Sequence, residues 1–323
     1  MQSLPRIALT TGDPAGIGPE IVNRALEQPE LAREVRLLAI GPELEAPTGI
    51  PVLERIADWN AESGHAWLRS EGKGGWRKGE ASVEGGRAAL GALRAGVELA
   101  TRDEVEALVT APVSKEGLHL AGERVEGQTQ LLHRWSKSPR VEMLACARRL
   151  RVMLLTRHVP LVQALAEIDG DLVYGGLCFL HGELERLGVL APRIALAGFN
   201  PHASEGGLFG DEESVHLEPA CEKARARGVN VHGPLPADSV FARAAGGEFD
   251  AVLALYHDQG FIPIKLHAPD EASTLLLGLP YVRVSPAHGT AYDIAGKGLA
   301  DSTPLIHSIR QALTWVQRSI ALT

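Results

Sequence analysis

Cysteine is scarce. Cys146, Cys178 and Cys221 lie far apart and form no C-x-x-C pair, which excludes a disulfide framework and suits reduced thiols in a core. A basic stripe is also missing: Lys and Arg total 32 against 40 Asp and Glu, for a net charge of −8. The cations are scattered, so nucleic acid is not an expected partner. No uninterrupted apolar run nears the ~20 residues that cross a bilayer, and no basic stretch followed by an apolar one precedes the first strand signal at Arg6. A cytoplasmic location without a membrane partner is expected. Both common nucleotide fingerprints, G-x-G-x-x-G and G-x-x-x-x-G-K-[ST], are absent, so a nucleotide has to be held in another way.

What the chain does contain is an alternation of short apolar runs with helical stretches. Its 323 residues are enough for two domains or one large α/β unit. Three runs read as buried strands that each lead to a histidine. RVMLLT (Arg151 to Thr156) precedes His158, RIALAG (Arg193 to Gly198) precedes His202, and DAVLALY (Asp250 to Tyr256) precedes His257. Such runs, closed by Gly or Pro, indicate parallel strands covered on both faces, with the ligand crevice beyond their carboxyl ends. Any one such histidine is more often a hydrogen-bonded turn residue. Three in one topological position point instead to imidazoles converging on a divalent metal. Eight of the other nine of the twelve histidines lack that setting.

Further strands are expected at Arg6 to Thr11, Val35 to Ile40 and Val105 to Thr110, and helices at Pro19 to Leu26, Val83 to Thr101, Leu161 to Glu167, Tyr174 to Leu187, Glu212 to Arg227 and Thr303 to Ile320. Residues 41–80 have weak periodicity and yield no assignment. Two glycine-rich segments stand out. TTGDPAGIGPE (Thr10 to Glu20) joins a strand to a helix through glycines that permit a tight turn, and it is as readily structural as functional. HGTAYDIAGKGLAD (His288 to Asp301) offers open backbone N–H groups and a carboxylate, Asp293, suited to ribose hydroxyls, which favours NAD over NADP. Its plain alternative is a surface turn before the last helix.

Taken together, TGDPAGIGPE, TAPVSK (Thr110 to Lys115), FNPHASEGG (Phe199 to Gly207), LYHDQG (Leu255 to Gly260) and GLPYVRVSPAHGTA (Gly278 to Ala291), in this order, resemble the PdxA family of 4-hydroxythreonine-4-phosphate dehydrogenases over essentially the whole chain. The 288–298 loop is also similar to the adenosine-binding loop of isopropylmalate and isocitrate dehydrogenases. The resemblance implies an α/β fold like isopropylmalate dehydrogenase, with two α/β/α lobes, a mostly parallel sheet and a central cleft. The lobes are expected at 1–125 plus 271–323, carrying the NAD loop, and at 126–270, carrying the metal ligands.

The resemblance further implies a metal on His158, His202 and His257, zinc first with magnesium or cobalt as alternatives, in a site shared across a homodimer. Gln128, Thr129, Lys265, Thr274 and Arg283 match substrate-binding positions, and His288, Gly289, Asp293 and Ile294 fall in the NAD loop, with NADP a further possibility. Arg and Lys suit a phosphate or carboxylate. Two positions depart from the pattern: Gln128 replaces an imidazole with a neutral amide, and Thr274 replaces an asparagine. The implied reaction oxidises the C3 hydroxyl of 4-phosphooxy-L-threonine, and the resulting β-keto acid loses carbon dioxide. Asp238, Asp258 and Lys265 are the candidates for moving its proton; either aspartate can instead orient a ligand. The alternatives are a dehydrogenase of threonate or erythronate phosphate, and a non-redox metal hydrolase or transferase.

Overall fold

The structure, a computed structural model, describes residues 4–60 and 63–320. The chain opens with β1 (Arg6–Thr10), α1 (Gly18–Leu26), α2 (Leu31–Glu34), β2 (Arg36–Gly41), β3 (Val52–Leu53) and β4 (Ala66–Arg69). Next come α3 (Val83–Thr101), β5 (Ala107–Thr110), α4 (Lys115–Leu120), α5 (Gln128–Ser136), β6 (Glu142–Ala147), β7 (Leu150–Leu154), α6 (Leu161–Glu167) and α7 (Gly170–Arg186). Then follow β8 (Ile194–Ala197), α8 (Glu218–Arg225), β9 (Val231–Leu235), α9 (Ala237–Ala245), β10 (Ala251–Ala254) and α10 (His257–His267). The series closes with β11 (Ser273–Leu277), β12 (Val282–Pro286) and α11 (Thr303–Ile320). The protein is a mixed α/β molecule with mostly parallel strands. Among the described residues no helix is long and apolar enough to cross a membrane.

Contacts divide the chain into two units, residues 1–141 with 278–317 and residues 142–277 with 318–323. These limits differ from the expected borders at 125/126 and 270/271. The reasons are local: α5 packs on α3, and β11 pairs antiparallel with β6. The first unit orders its strands β3-β4-β2-β1-β5-β12, every pair parallel. β2 and β5 are buried along their whole length, as strands covered on both faces must be. Ser82 caps α3 by accepting from the Gly85 N–H, and the helix buries a stripe of small residues, Ala88, Ala89, Ala92 and Gly96 among them.

The turn after β1 is tight because two glycines permit it. Gly12 has φ +68°, and a Cβ there would stand 2.1 Å from the Pro112 carbonyl oxygen; at Gly18 the Thr11 oxygen would be 2.0 Å away. Gly12→Ala is therefore expected to cost about 2–4 kcal/mol of stability. Chemical denaturation should show a lower midpoint at unchanged m value.

The second unit orders its strands β11-β6-β7-β10-β8-β9. β11, β6 and β7 alternate antiparallel, whereas β7, β10, β8 and β9 run parallel. The expected helix Glu212 to Arg227 instead begins as a π-helical turn, Glu213–Leu217, before α8. Pro219 has no N–H to continue an α-helical ladder, and the Glu213 carboxylate is drawn inward to accept from the Phe199 and Asn200 N–H groups at 2.7 and 2.6 Å. β6, which hydrophobic patterning does not single out, is a strand because β11 and β7 pair with both of its edges.

Candidate active site

The three strands that lead to histidines are consecutive in the sheet, in the order β7-β10-β8, and all parallel. Their carboxyl ends therefore lie side by side, about 5 Å from strand to strand. His158 follows β7 through a short loop, and His257 opens α10. Their ring centroids are 5.8 Å apart, and both line a cavity of about 300 Å³ with Arg157, Leu161, Tyr256 and Asp258. His257 Nδ1 lies 2.7 Å from Asp258 Oδ1. With Nδ1–H donating there, Nε2 is left as the metal-type donor. Phe261, one turn on, stacks on the same ring at 4.7 Å.

His202 does not join this pair. It sits in a turn of left-handed residues, with φ of 54°, 52°, 69° and 47° at His202, Ala203, Ser204 and Glu205, and its ring faces Phe209 at 6.3 Å. Among the described residues, no group of three or more His, Cys, Asp or Glu could hold a metal ion. One chain thus presents two imidazoles where three were expected. The chemistry of the pair, two imidazoles with one orienting carboxylate, suits a divalent ion of the zinc type. The buried Glu213, with 1 % exposure, fixes the start of the His202 turn.

Asp238 is exposed in the first turn of α9 and lines a second cavity of about 510 Å³ with Asp258, Gln259, Ile262 and Leu266. Lys265 lies exposed on α10, two turns beyond His257. Thr274 is buried in β11, opposite Ala145 of β6.

In the first unit, Arg283 is the outstanding charge. Only 3 % exposed on β12, it donates to Thr110 Oγ1 at 2.6 Å and to Gln128 Oε1 at 3.2 Å, and its Nε has no partner. Both acceptors are neutral. Burial pushes the guanidinium down to about 10, so it is still cationic at neutral pH. Gln128 accepts from Arg283 and donates through Nε2 to the Ala111 carbonyl oxygen at 3.0 Å. This amide, expected to meet substrate, thus steadies the arginine and has one N–H proton left. Thr129 follows it in the first turn of α5.

The 288–298 loop lies against the glycine turn of the same unit. The Ile17 N–H donates to the Thr290 carbonyl oxygen at 3.0 Å, and Tyr292 Oη donates to Asp13 Oδ2 at 2.7 Å. His288 Nδ1 is 3.0 Å from the Gly289 carbonyl oxygen, while its buried Nε2 has no partner. Nothing lies within 4 Å of where a Gly289 Cβ would stand, and Asp293 is exposed. The Ile294 N–H closes the turn on the Ala291 oxygen at 3.1 Å. An orphaned acceptor beside open backbone fits a nucleotide cofactor. Sequence reading passed over Asp13 and Tyr292, although an acid inside a glycine turn was a visible signal.

A mostly parallel α/β fold with histidines at strand ends, in a chain whose relatives over nearly its whole length are named dehydrogenases, defines the class: an oxidoreductase. The fold recurs in a β-decarboxylating dehydrogenase from Thermococcus kodakarensis (15 % identity, TM-score 0.50, covering 95 % of this chain and 82 % of that one). The chain belongs to the family described as pyridoxal phosphate biosynthetic protein PdxA, whose model matches residues 45–312. A D-threonate 4-phosphate dehydrogenase from Cupriavidus necator is 39 % identical over 320 residues, 95 % of this chain and 96 % of that one. The crystal structure of a 4-hydroxythreonine-4-phosphate dehydrogenase from Klebsiella pneumoniae superposes with a TM-score of 0.88 at 36 % identity, covering 97 % and 98 % of the two chains.

Proposed function

We propose that the chain uses NAD and a divalent metal to oxidise 4-phosphooxy-L-threonine to 2-amino-3-oxo-4-phosphooxybutanoate. This β-keto acid then decarboxylates to 3-amino-2-oxopropyl phosphate, a step in pyridoxal phosphate biosynthesis. The observation that carries the reading is Arg283, a buried cation lacking a carboxylate partner among the described residues. A phosphate or carboxylate of the substrate would complete its shell, including the orphaned Nε. The metal would be held by His158, His202 and His257, with the set completed across a homodimer, since one chain gathers only two of them. When bound, the metal supplies Lewis acidity at the alcohol and NAD supplies the hydride acceptor. Asp258 orients His257, which leaves Asp238 and Lys265 to take the hydroxyl proton. The 288–298 loop would hold the adenosine part of NAD, with His288 Nε2 accepting from the base and Asp293 from the ribose.

A second reading takes D-threonate 4-phosphate as the substrate. The two departures at Gln128 and Thr274 favour it, as does the name of the Cupriavidus necator relative. Purified protein mixed with NAD, a divalent metal and either compound separates the readings by the appearance of NADH absorbance. Turnover of 4-phosphooxy-L-threonine supports the first. Turnover of D-threonate 4-phosphate alone moves the assignment to the second, and phosphate release without NADH from either compound would favour the hydrolase alternative.

A further inference from the structure

The glycine turn after β1 holds an acid that the proposed chemistry does not use. Asp13 is 1 % exposed and touches no cation directly. Its Oδ1 accepts from the Ala15 N–H at 2.9 Å, and its Oδ2 accepts from Tyr292 Oη at 2.7 Å. The carboxylate lies against the first turns of α3 and α4: a Cβ on Gly85 would stand 3.1 Å from Oδ1, and one on Gly117 would stand 3.2 Å from Oδ2. Two helix amino ends thus favour a negative charge at a point that burial makes costly, and burial raises the Asp13 carboxyl above its ordinary range.

Of the two groups that donate to this carboxylate, the Ala15 N–H belongs to the turn itself. Tyr292 belongs to the 288–298 loop, 279 residues away in sequence. The loop has a backbone tie from Ile17 to Thr290, and Gly79 packs so closely that a Cβ there would be 2.9 Å from the Tyr292 carbonyl oxygen. Lys78 reaches over the same turn, donating to the Pro14 carbonyl oxygen at 2.7 Å and to Glu45 Oε2 at 2.9 Å. Of these ties, the phenol on Asp13 is the one that joins a loop side chain to a buried charge. It stands between Gly289 and Asp293, so its position sets theirs.

We propose that Asp13 and Tyr292 form a latch that holds the 288–298 loop in the conformation that binds NAD, with Tyr292 as a positioning residue. This role rests on the reading of that loop as the cofactor site. A hydrogen bond to a buried charged acceptor that is lost without a substitute costs enough to loosen the loop measurably. For Tyr292→Phe, the Kd and KM for NAD should rise roughly ten- to a hundredfold, while KM for the phosphorylated acid stays put.

The test measures three quantities on the full-length protein: NAD affinity by tryptophan fluorescence titration, amide hydrogen exchange of residues 288–298 without ligand, and the KM values for both substrates. Tyr292→Phe should accelerate exchange in the loop and weaken NAD. Tyr292→His, which keeps a ring N–H donor, should recover part of both, and it carries the test if the phenylalanine variant does not fold. Unchanged exchange and unchanged NAD affinity in Tyr292→Phe overturn the latch while leaving the cofactor site intact. Faster loop exchange in a protein whose wild type shows no NAD binding sinks the cofactor reading, and the proposed role of the latch with it.

Discussion

Replacing Arg283 with methionine is expected to lower kcat/KM for the phosphorylated acid by roughly three orders of magnitude and to leave the ligand-free protein as stable as wild type or more so. The two effects share one cause. A guanidinium 3 % exposed, with only Thr110 and Gln128 as acceptors, is held at a cost that its lowered pKa of about 10 expresses. Against the ordinary 12.5, that depression corresponds to about 3 kcal/mol at neutral pH. The sign follows from linkage: the unfolded chain binds this proton more tightly, so the cost is present at all pH values below about 10 and is relieved only as pH rises from there toward 12.5. Methionine removes the charge at similar volume but leaves the Gln128 oxygen one donor short, so the net gain should be between zero and about 2 kcal/mol. Denaturant titrations and steady-state kinetics on the same preparations check both halves. The anion that wild-type Arg283 awaits should also stabilise wild type and not the variant.

A similarly large effect is expected at the histidine pair. If a divalent ion binds as proposed and stabilises the wild type against heat, His257→Ala should abolish that stabilisation and reduce turnover by more than about a thousandfold. Asp258→Asn should behave differently, because its Oδ1 is 2.7 Å from His257 Nδ1. An orienting carboxylate that is neutralised weakens the metal by about ten- to a hundredfold, and saturating metal should then restore kcat. If kcat stays depressed at every metal concentration, Asp258 is moving the proton itself.

Much of this arrangement could be read from the residues, for a physical reason. β7, β8 and β10 are buried on both faces, so their composition is apolar and short, and the polar residue that ends each run marks where the chain meets solvent. Helices α3 and α11 were legible from end to end because their apolar faces recur at helical spacing. β6 was not, since its identity as a strand comes from β11, far along the chain. Residues 41–80 were opaque for a related reason: β3 is a two-residue edge strand and β4 beside it has only four residues, and Trp76 and Lys78 are fixed by Glu45 and Pro14 rather than by periodicity. The run of left-handed residues that carries His202, just beyond the Phe199 and Asn200 N–H groups held by buried Glu213, was equally unreadable. The roles of Asp13 and Gln128 likewise arise from partners on other elements, Tyr292 and Arg283.

Coupling of alcohol oxidation to loss of carbon dioxide is tested by a stoichiometry. Protein, NAD, a divalent metal and 4-phosphooxy-L-threonine labelled in its carboxylate are mixed, and NADH and labelled carbon dioxide are counted together. The two should appear in equal amounts, and neither should appear with Arg283→Met. Labelled carbon dioxide without NADH, or no NADH from this compound and none from D-threonate 4-phosphate, would contradict it.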